Sequence, residues 1–513
     1  MSAKNRKKNT DVVIIGGGLA GLTAAVGLVN AGLDVTVIEQ DKRLGGRAQS
    51  WVDPTTGDEI HIGPHIFLSA YPNMFKFLDE LGTRDRIVWQ KDHFITLADG
   101  PNKMIMHQAP LPAPLHFLPA MFTDERMTTA DKLSGFPVTL YAMQMTEEDV
   151  LRLDGMNAYA FLRRMGVSKR LIDDFWSFAC MSIMNVPIEL CSAGALMRFY
   201  QRFIGKSNFC FGFPDGGLGD LFAPQARALI EAKGSRVLLN TTVDSFLGDD
   251  QNVTGVQLKN GKTIEARYTI CALPPQALRR ISKPAWRDEH ETFANLVHFH
   301  PSPYVSSYIW FDRKITDMKM WARVHTPNDL NCDFYDLSNI NRGWEDKPSV
   351  ITSNIIFCNR ADGMSDEEIF EATLRELSEF LPQARPENVT HWVVNRIPMA
   401  IHCPYPGTER RRPRVKTPVE NLWLAGDWIR TGLPSSMESA CASGWLAAQE
   451  ILEHTGRPEK LVVEHDRVEG LSRLVHHAGQ LSPLRPARRF MRRLLGETQT
   501  TPTPKHLEAP CVR

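Results

Sequence analysis

The chain has 513 residues, enough for more than one domain and a large core, and its 43% hydrophobic and 23% charged content is ordinary for a globular protein. Lysine plus arginine equals aspartate plus glutamate at 59 each, so no overall charge points to nucleic acid as a partner. Nine scattered cysteines without a CxxC pair suit free thiols in a reducing compartment and argue against a disulfide reductase.

Near the start, Lys4, Arg6, Lys7 and Lys8 precede an uncharged run from Val12 to Val29, which mimics a signal peptide or a short membrane span. Five glycines within twelve residues of that run exclude both readings, and no other membrane-spanning candidate follows. The run reads instead as strand (Asp11–Ile15), glycine-rich turn and helix, and Val35-Thr-Val-Ile-Glu39 adds a second strand ending in an acid. Gly16, Gly18 and Gly21 have the GxGxxG spacing. The first permits a tight turn, the second lets backbone approach a pyrophosphate, and the third lets the helix pack on the strand. The helix N-terminus offers N–H groups and positive dipole to phosphates, and Glu39 can accept hydrogen bonds from a ribose. A glycine-rich turn of any α/β protein is the plainer reading; strands, helix and acid in sequence favour a dinucleotide site. Arg43-Leu-Gly-Gly-Arg47 follows, and its Gly45-Gly46 turn with Arg43 and Arg47 fits a second approach of backbone and guanidinium to a diphosphate.

Farther on, His61 and His65 are four apart but lie in a strand-turn segment, so no metal site is expected. The segment from His107 to Phe122 is proline-rich and carries no formal charge; it predicts a loop without regular helix that packs on the protein or meets something apolar. Residues 130–205 read as helical. Gly234 to Asp244 reads as one strand, Val253–Leu258 and Thr263–Ala266 as a hairpin, and Tyr268–Leu273 as a buried strand closed by Pro274-Pro275. Tyr304–Phe311 predicts a strand and Asp366–Phe380 a helix. A discontinuous nucleotide domain is therefore expected from residues 10–95, 215–290 and 415–455, a second domain from 96–214 and 291–414, and a tail over 456–513. In that tail Arg485, Arg488, Arg489, Arg492 and Arg493 alternate with Phe490, Met491, Leu494 and Leu495, which predicts either a basic amphipathic helix on an anionic membrane or a solvated helix.

The Arg43–Arg47 turn and the stretch Asn421-Leu-Trp-Leu-Ala-Gly-Asp-Trp428 resemble motifs of the flavoprotein family of amine oxidases and carotenoid desaturases, which implies FAD rather than NAD. Gly63-Pro-His-Ile-Phe-Leu-Ser-Ala-Tyr-Pro-Asn73, Leu111-Pro-Ala-Pro-Leu115, Met197-Arg-Phe-Tyr-Gln201, Ile309-Trp-Phe-Asp-Arg-Lys314 and Ser435-Ser-Met-Glu-Ser-Ala440 resemble, in order, stretches of plant and cyanobacterial phytoene desaturases. The resemblance implies an α/β chain with a Rossmann-type FAD domain, a mixed α+β substrate domain and a helical cap. It implies FAD contacts at Glu39, Arg47, Gly63, Pro64, His65, Val243, Gly426, Asp427 and Met437, and it sets Arg198 and His65 beside the flavin as catalytic candidates. The plainer readings are a core histidine bonded to a carbonyl and a structural ion pair of Arg198. Two features depart from the desaturases: Pro64 stands where they carry leucine, and Gly426–Ser436 is more similar to squalene-associated dehydroxylases. No plastid transit peptide is evident, so a bacterial relative is expected.

The implied reaction is desaturation of a long apolar isoprenoid, carotene- or phytoene-like, by hydride transfer to flavin N5 with a proton lost to a base or water. Electrons pass to a membrane quinone or to oxygen, and the chain is expected in the cytoplasm, peripheral on the inner membrane face. Three rivals share the fold. Amine oxidases commonly carry an aromatic cage residue that Thr431–Ser436 lacks; dehydroxylases acting on a squalene precursor bind a similar lipid. Prenyl-binding nucleotide dissociation inhibitors use no flavin and have no reason to keep Glu39, Arg43–Arg47 and Gly426-Asp427 together.

Overall fold

The computed structural model describes residues 10–480 apart from 101, 124–125, 208, 325 and 327. The basic residues at 4–8 and the arginine-rich stretch at 485–493 lie outside the described residues.

Val12, Val13 and Ile14 are fully buried, the continuous apolar run of a strand covered on both faces. That strand, Thr10–Ile15, is central in a sheet ordered Arg236–Leu238, Val35–Ile38, Thr10–Ile15, Thr263–Cys271, Val253–Leu258, Val243–Gly248, with Leu422–Leu424 also paired to Thr263–Cys271. The first four strands run parallel, and so does Leu422–Leu424. The helix Leu19–Asn30 covers this sheet and is buried from Leu19 to Val29. It must be apolar all round because the helix Met437–His454 crosses its other side. The crossing is close at Gly444, whose absent Cβ would lie 2.4 Å from the Ala20 carbonyl oxygen.

Sequence and structure differ at three places here. Residues 234–244 form two strands, because Asn240 adopts a left-handed conformation (φ 49°) and its N–H donates to the Asp41 carbonyl at 3.0 Å. The break turns Val243 into an antiparallel meander instead of extending the parallel sheet. The hairpin arm and the buried strand expected at 263–266 and 268–273 are one strand, Thr263–Cys271: its first half pairs antiparallel with Gly255–Gln257 and its second half parallel with Val12–Ile15. In the proline-rich segment, a helix forms at Leu118–Thr123, since Pro119 falls in its first turn, where a missing N–H costs nothing.

A second sheet is ordered Val389–His402, Pro301–Phe311, Val350–Ile356, Asp333–Asp336, Met320–Arg323, Ile95–Asp99, Asn102–Met106. Its outer face packs under the helix Asp366–Ser378 through Trp321, Phe334, Leu374 and Leu377. That helix starts at a capping box in which Ser365 and Glu368 exchange side-chain and backbone hydrogen bonds. The inner face looks toward residues 129–204, a set of short helices begun by polar caps at Thr128, Thr146, Asn157, Ser168 and Ser192. Within it, Ile172–Trp176 and Cys180–Met184 wind more widely, as π-turns.

Candidate active site

The two glycine turns pack on each other. Gly16 has φ +105°, and a Cβ there would sit 3.1 Å from the Ala272 carbonyl oxygen; a Cβ on Gly21 would sit 2.0 Å from that of Gly16. The Gly45 N–H donates to the Gly17 carbonyl at 2.9 Å, which brings the second turn against the first. At Gly18 the nearest atom to an added Cβ is 3.9 Å away, so this face of the turn stays open for a ligand. Glu39 closes the far side: its Oε2 accepts from the Gly17 N–H at 2.8 Å and its Oε1 from the Asp41 N–H at 2.9 Å.

Downstream segments complete the cradle. The Asn240 break presents Thr241, Thr242 and Val243 beside Glu39, with the Thr241 N–H donating to the Glu39 carbonyl at 2.9 Å. Arg47 donates to the Asp427 carboxylate at 2.6 Å and to the Ala400 carbonyl at 3.0 Å. Burial raises the Asp427 carboxyl, but the Arg47 guanidinium overcomes it and holds the group below the usual carboxylate range. Ser435, Ser436 and Met437 bring the N-terminus of the helix Met437–His454 to the same wall. His65 Nδ1 lies 2.7 Å from the Gly63 carbonyl, which fixes the proton on that nitrogen and leaves Nε2 as an acceptor. Burial pushes the His65 imidazole down, so it is neutral.

The two turns, Glu39, Arg47, His65, Asp427 and the start of the Met437–His454 helix share one cavity of about 810 Å³. Its polar end has Gly16, Gly18, Glu39, Gly45, Gly46, Arg47 and Val243; its middle has Gly63, Pro64, His65, Gly426, Asp427 and Met437. The rest is apolar. One wall is the inner face of the second sheet, through Leu97, Met320, Tyr335, Ile356, Tyr304 and Ile397; the other is helical, through Phe175, Trp176, Phe178, Phe199, Tyr200 and Phe203. Open backbone at Gly18, N–H groups at a helix start, an acid and an arginine fit the donor and acceptor set of a flavin dinucleotide.

Three sequence expectations take other places. Arg43 does not line the cavity; its guanidinium stacks 5.2 Å from the centroid of the Trp51 ring. Gly21 serves the helix–strand contact rather than the cavity surface. Arg198 does not line the cavity either. It is 2% exposed and bridges the carboxylates of Glu409 and Glu147, so the ion-pair reading describes its geometry, with a small recess beside Ile401, His402 and Ser435. His61 likewise turns inward, where its Nδ1 accepts from the Leu218 N–H at 3.3 Å and burial pushes it down to about 3. Other motif residues meet each other: Asn73 and Met74 donate backbone N–H groups to Glu438 at 3.0 and 2.8 Å, which ties Tyr71–Asn73 to the start of the Met437–His454 helix.

Sequence reading missed Arg412 and Asp333. Arg412 is 2% exposed and donates to the carbonyls of Asp427, Trp428, Ile429 and Leu433, clamping the loop that carries Asp427. Asp333 is 4% exposed, lines the apolar end, and its Oδ1 has no hydrogen-bond partner. Neither lies in a motif; each gains its setting from strands or loops distant in sequence.

A parallel-sheet dinucleotide cradle that opens onto an apolar chamber defines an FAD-dependent oxidoreductase with a Rossmann-type cofactor domain and a substrate domain. The comparisons narrow the class. The profile of flavin containing amine oxidoreductases matches residues 19–452, and the chain belongs to that family. It is 30% identical over 457 residues to 15-cis-phytoene desaturase of Synechococcus elongatus, covering 86% of this chain and 95% of that one. It is also 30% identical over 494 residues to the chloroplastic/chromoplastic 15-cis-phytoene desaturase of Capsicum annuum, covering 90% of this chain and 82% of that one. In fold it is similar to putrescine oxidase bound to putrescine, with a TM-score of 0.67 at 20% identity, covering 87% of this chain and 99% of the other.

Proposed function

We propose that the chain desaturates a long apolar isoprenoid of the carotene class, held in the apolar chamber against FAD. The observation that carries this reading is the continuity of the cradle with a chamber walled by aromatic and aliphatic side chains. Such walls bind a hydrocarbon by burial and keep water out. The phytoene desaturase relatives match along most of their length and support the same substrate class.

Bound FAD supplies a two-electron hydride acceptor. In this reading Glu39 accepts from the ribose, Gly16–Gly18 and Gly45–Arg47 surround the diphosphate, and Val243 meets the adenine. Gly63–His65, Gly426-Asp427 and Met437 border the flavin. The Arg47–Asp427 pair fixes the two turns relative to each other, and neutral His65 offers Nε2 as an acceptor without adding charge.

The chain meets a membrane in this reading, as a peripheral protein on the inner face, and a quinone of that bilayer takes the electrons. Leu111, Phe122, Phe136, Leu140 and Leu474 are exposed apolar side chains, the last two at 55% and 66%, and the helix Gly470–Gln480 packs on Phe136–Gln144. Exposed apolar side chains of this kind suit lipid contact. No described helix is long and apolar enough to cross a membrane.

The test is an anaerobic flavin titration in liposomes with phytoene, hydroxysqualene and a polyamine offered separately. Bleaching with phytoene and a red-shifted polyene in the extract is the expected result. Bleaching with the polyamine alone, or squalene formed from hydroxysqualene under a reductant, would replace the desaturase reading.

A further inference from the structure

Removing two hydrogens from adjacent carbons releases one as hydride and the other as a proton, and the proton needs a place to go. The carboxylates on the cavity wall are Glu39, Asp244, Asp333, Asp427 and Glu438. Glu39, Asp427 and Glu438 are engaged by backbone N–H groups or an arginine, and Asp244 belongs to the nucleotide end. Asp333 alone among these stands in the apolar chamber. It begins the strand Asp333–Asp336, opposite Asn354 on one side and Ala322 on the other. Asn354 in turn reaches to 3.5 Å from the Pro64 carbonyl, so the carboxyl is one strand away from the segment that carries His65. A carboxyl that is nine-tenths buried on a residue lining the cavity, with Asn354 and Tyr335 as its hydrogen-bonding neighbours and Oδ1 unpartnered, is costly to keep ionised.

We propose that Asp333 is the base that accepts the proton during desaturation, a role that rests on the desaturase reading above. The hydrogen on one carbon leaves with its bonding pair, as the hydride that FAD chemistry accounts for. The hydrogen on the neighbouring carbon leaves as H⁺ to the Asp333 carboxylate, and the electron pair of that C–H bond becomes the new π bond. The carboxylate becomes a carboxylic acid, and no further oxidant is needed.

Burial pushes the Asp333 carboxyl up to about 7, against the opposing pull of Asn354 and Tyr335, which makes it a stronger base than an exposed carboxylate. The titratable groups facing it are Tyr335 and Cys332 on its own segment and Tyr304 on the strand Pro301–Phe311. Burial pushes all three up, so they remain neutral while Asp333 titrates.

The experiment compares the FAD-loaded wild-type chain with Asp333→Asn, anaerobically, with phytoene in liposomes across pH. The wild-type bleaching rate should rise with pH and level off above about 7. Asp333→Asn should keep its flavin content and visible spectrum, lose the pH dependence, and bleach ~10²–10⁴-fold more slowly, the usual contribution of a general base. Infrared difference spectra of the substrate-free protein should show a protonated carboxyl band that disappears as pH rises through about 7 and is missing from the variant. If Asp333→Asn fails to hold flavin, Asp333→Ser takes its place. A variant as fast as wild type, or a carboxyl that does not titrate, overturns the assignment of Asp333 alone. A wild-type chain that never bleaches with phytoene overturns the desaturase reading, and the base assignment with it. Bleaching with a polyamine instead would make Asp333 a counter-ion and also overturn it.

Discussion

Gly21 stands where a Cβ would press to 2.0 Å of a backbone oxygen, and neither the helix Leu19–Asn30 nor the Gly16 turn has a flexible end that could yield. Gly21→Ala should therefore cost about 1–3 kcal/mol through overpacking and push the helix start away from the cradle. A lower melting temperature and less FAD per chain are the expected readouts; wild-type flavin content with an unchanged melt would refute it. Residues of this kind were legible in the sequence, because close backbone approach admits only glycine and the spacing announces it. Glu39 was legible for a similar reason, as the acid ending a strand. Arg198 was legible as a motif residue but not as a placement: its partners Glu147 and Glu409 lie far away in the sequence, and nothing local announces them. Asp333 gave no signal at all. Beside Cys332 and Phe334 it reads as one polar residue in a strand, and only the pairing with Asn354 and Ala322 sets it in an apolar chamber.

The loop Asp427–Leu433 has little regular structure, yet it delivers the carboxylate that Arg47 grips. Arg412 substitutes for a hydrogen-bonded ladder by donating to four carbonyls of this loop, and Glu409 lies 3.3 Å from its guanidinium. Arg412→Met would keep much of the packing volume but leave those carbonyls without their donor and remove a cation beside buried Glu409. Breaking one side of a buried ion pair costs about 3–5 kcal/mol. The variant should melt well below wild type and purify with little flavin; a wild-type melt would show that the loop is held by other means. Elements themselves were easier to read than their joints. Apolar runs and turn dipeptides pointed to strands at Asp11–Ile15, Val253–Leu258 and Tyr304–Phe311 and to a helix from Asp366, which the structure places at Thr10–Ile15, Val253–Leu258, Pro301–Phe311 and Asp366–Ser378. The break at Asn240 and the fusion of two segments into Thr263–Cys271 escaped, since both depend on which neighbour strand offers hydrogen bonds.

The exposed side chains Leu111, Phe122, Phe136, Leu140 and Leu474 come from separate stretches, so a docking surface that uses them exists only in the folded molecule. If it seats the chamber on lipid, deleting residues 470–513 should move the protein from the membrane pellet to the soluble fraction; an unchanged partition would refute the docking surface. The parallel sheet is also assembled from distant stretches. Thr10–Ile15 and Val35–Ile38 leave the ribosome first, but their neighbours Arg236–Leu238 and Thr263–Cys271 follow much later, and Leu422–Leu424 with the helix Met437–His454 last of all. Until then the side of the helix Leu19–Asn30 that Met437–His454 crosses stays uncovered, while its other side can already meet Thr10–Ile15 and Val35–Ile38. The nascent chain thus carries an open apolar helix face through most of translation, a client for chaperones, and holoenzyme maturation waits for the C-terminal third to be synthesised.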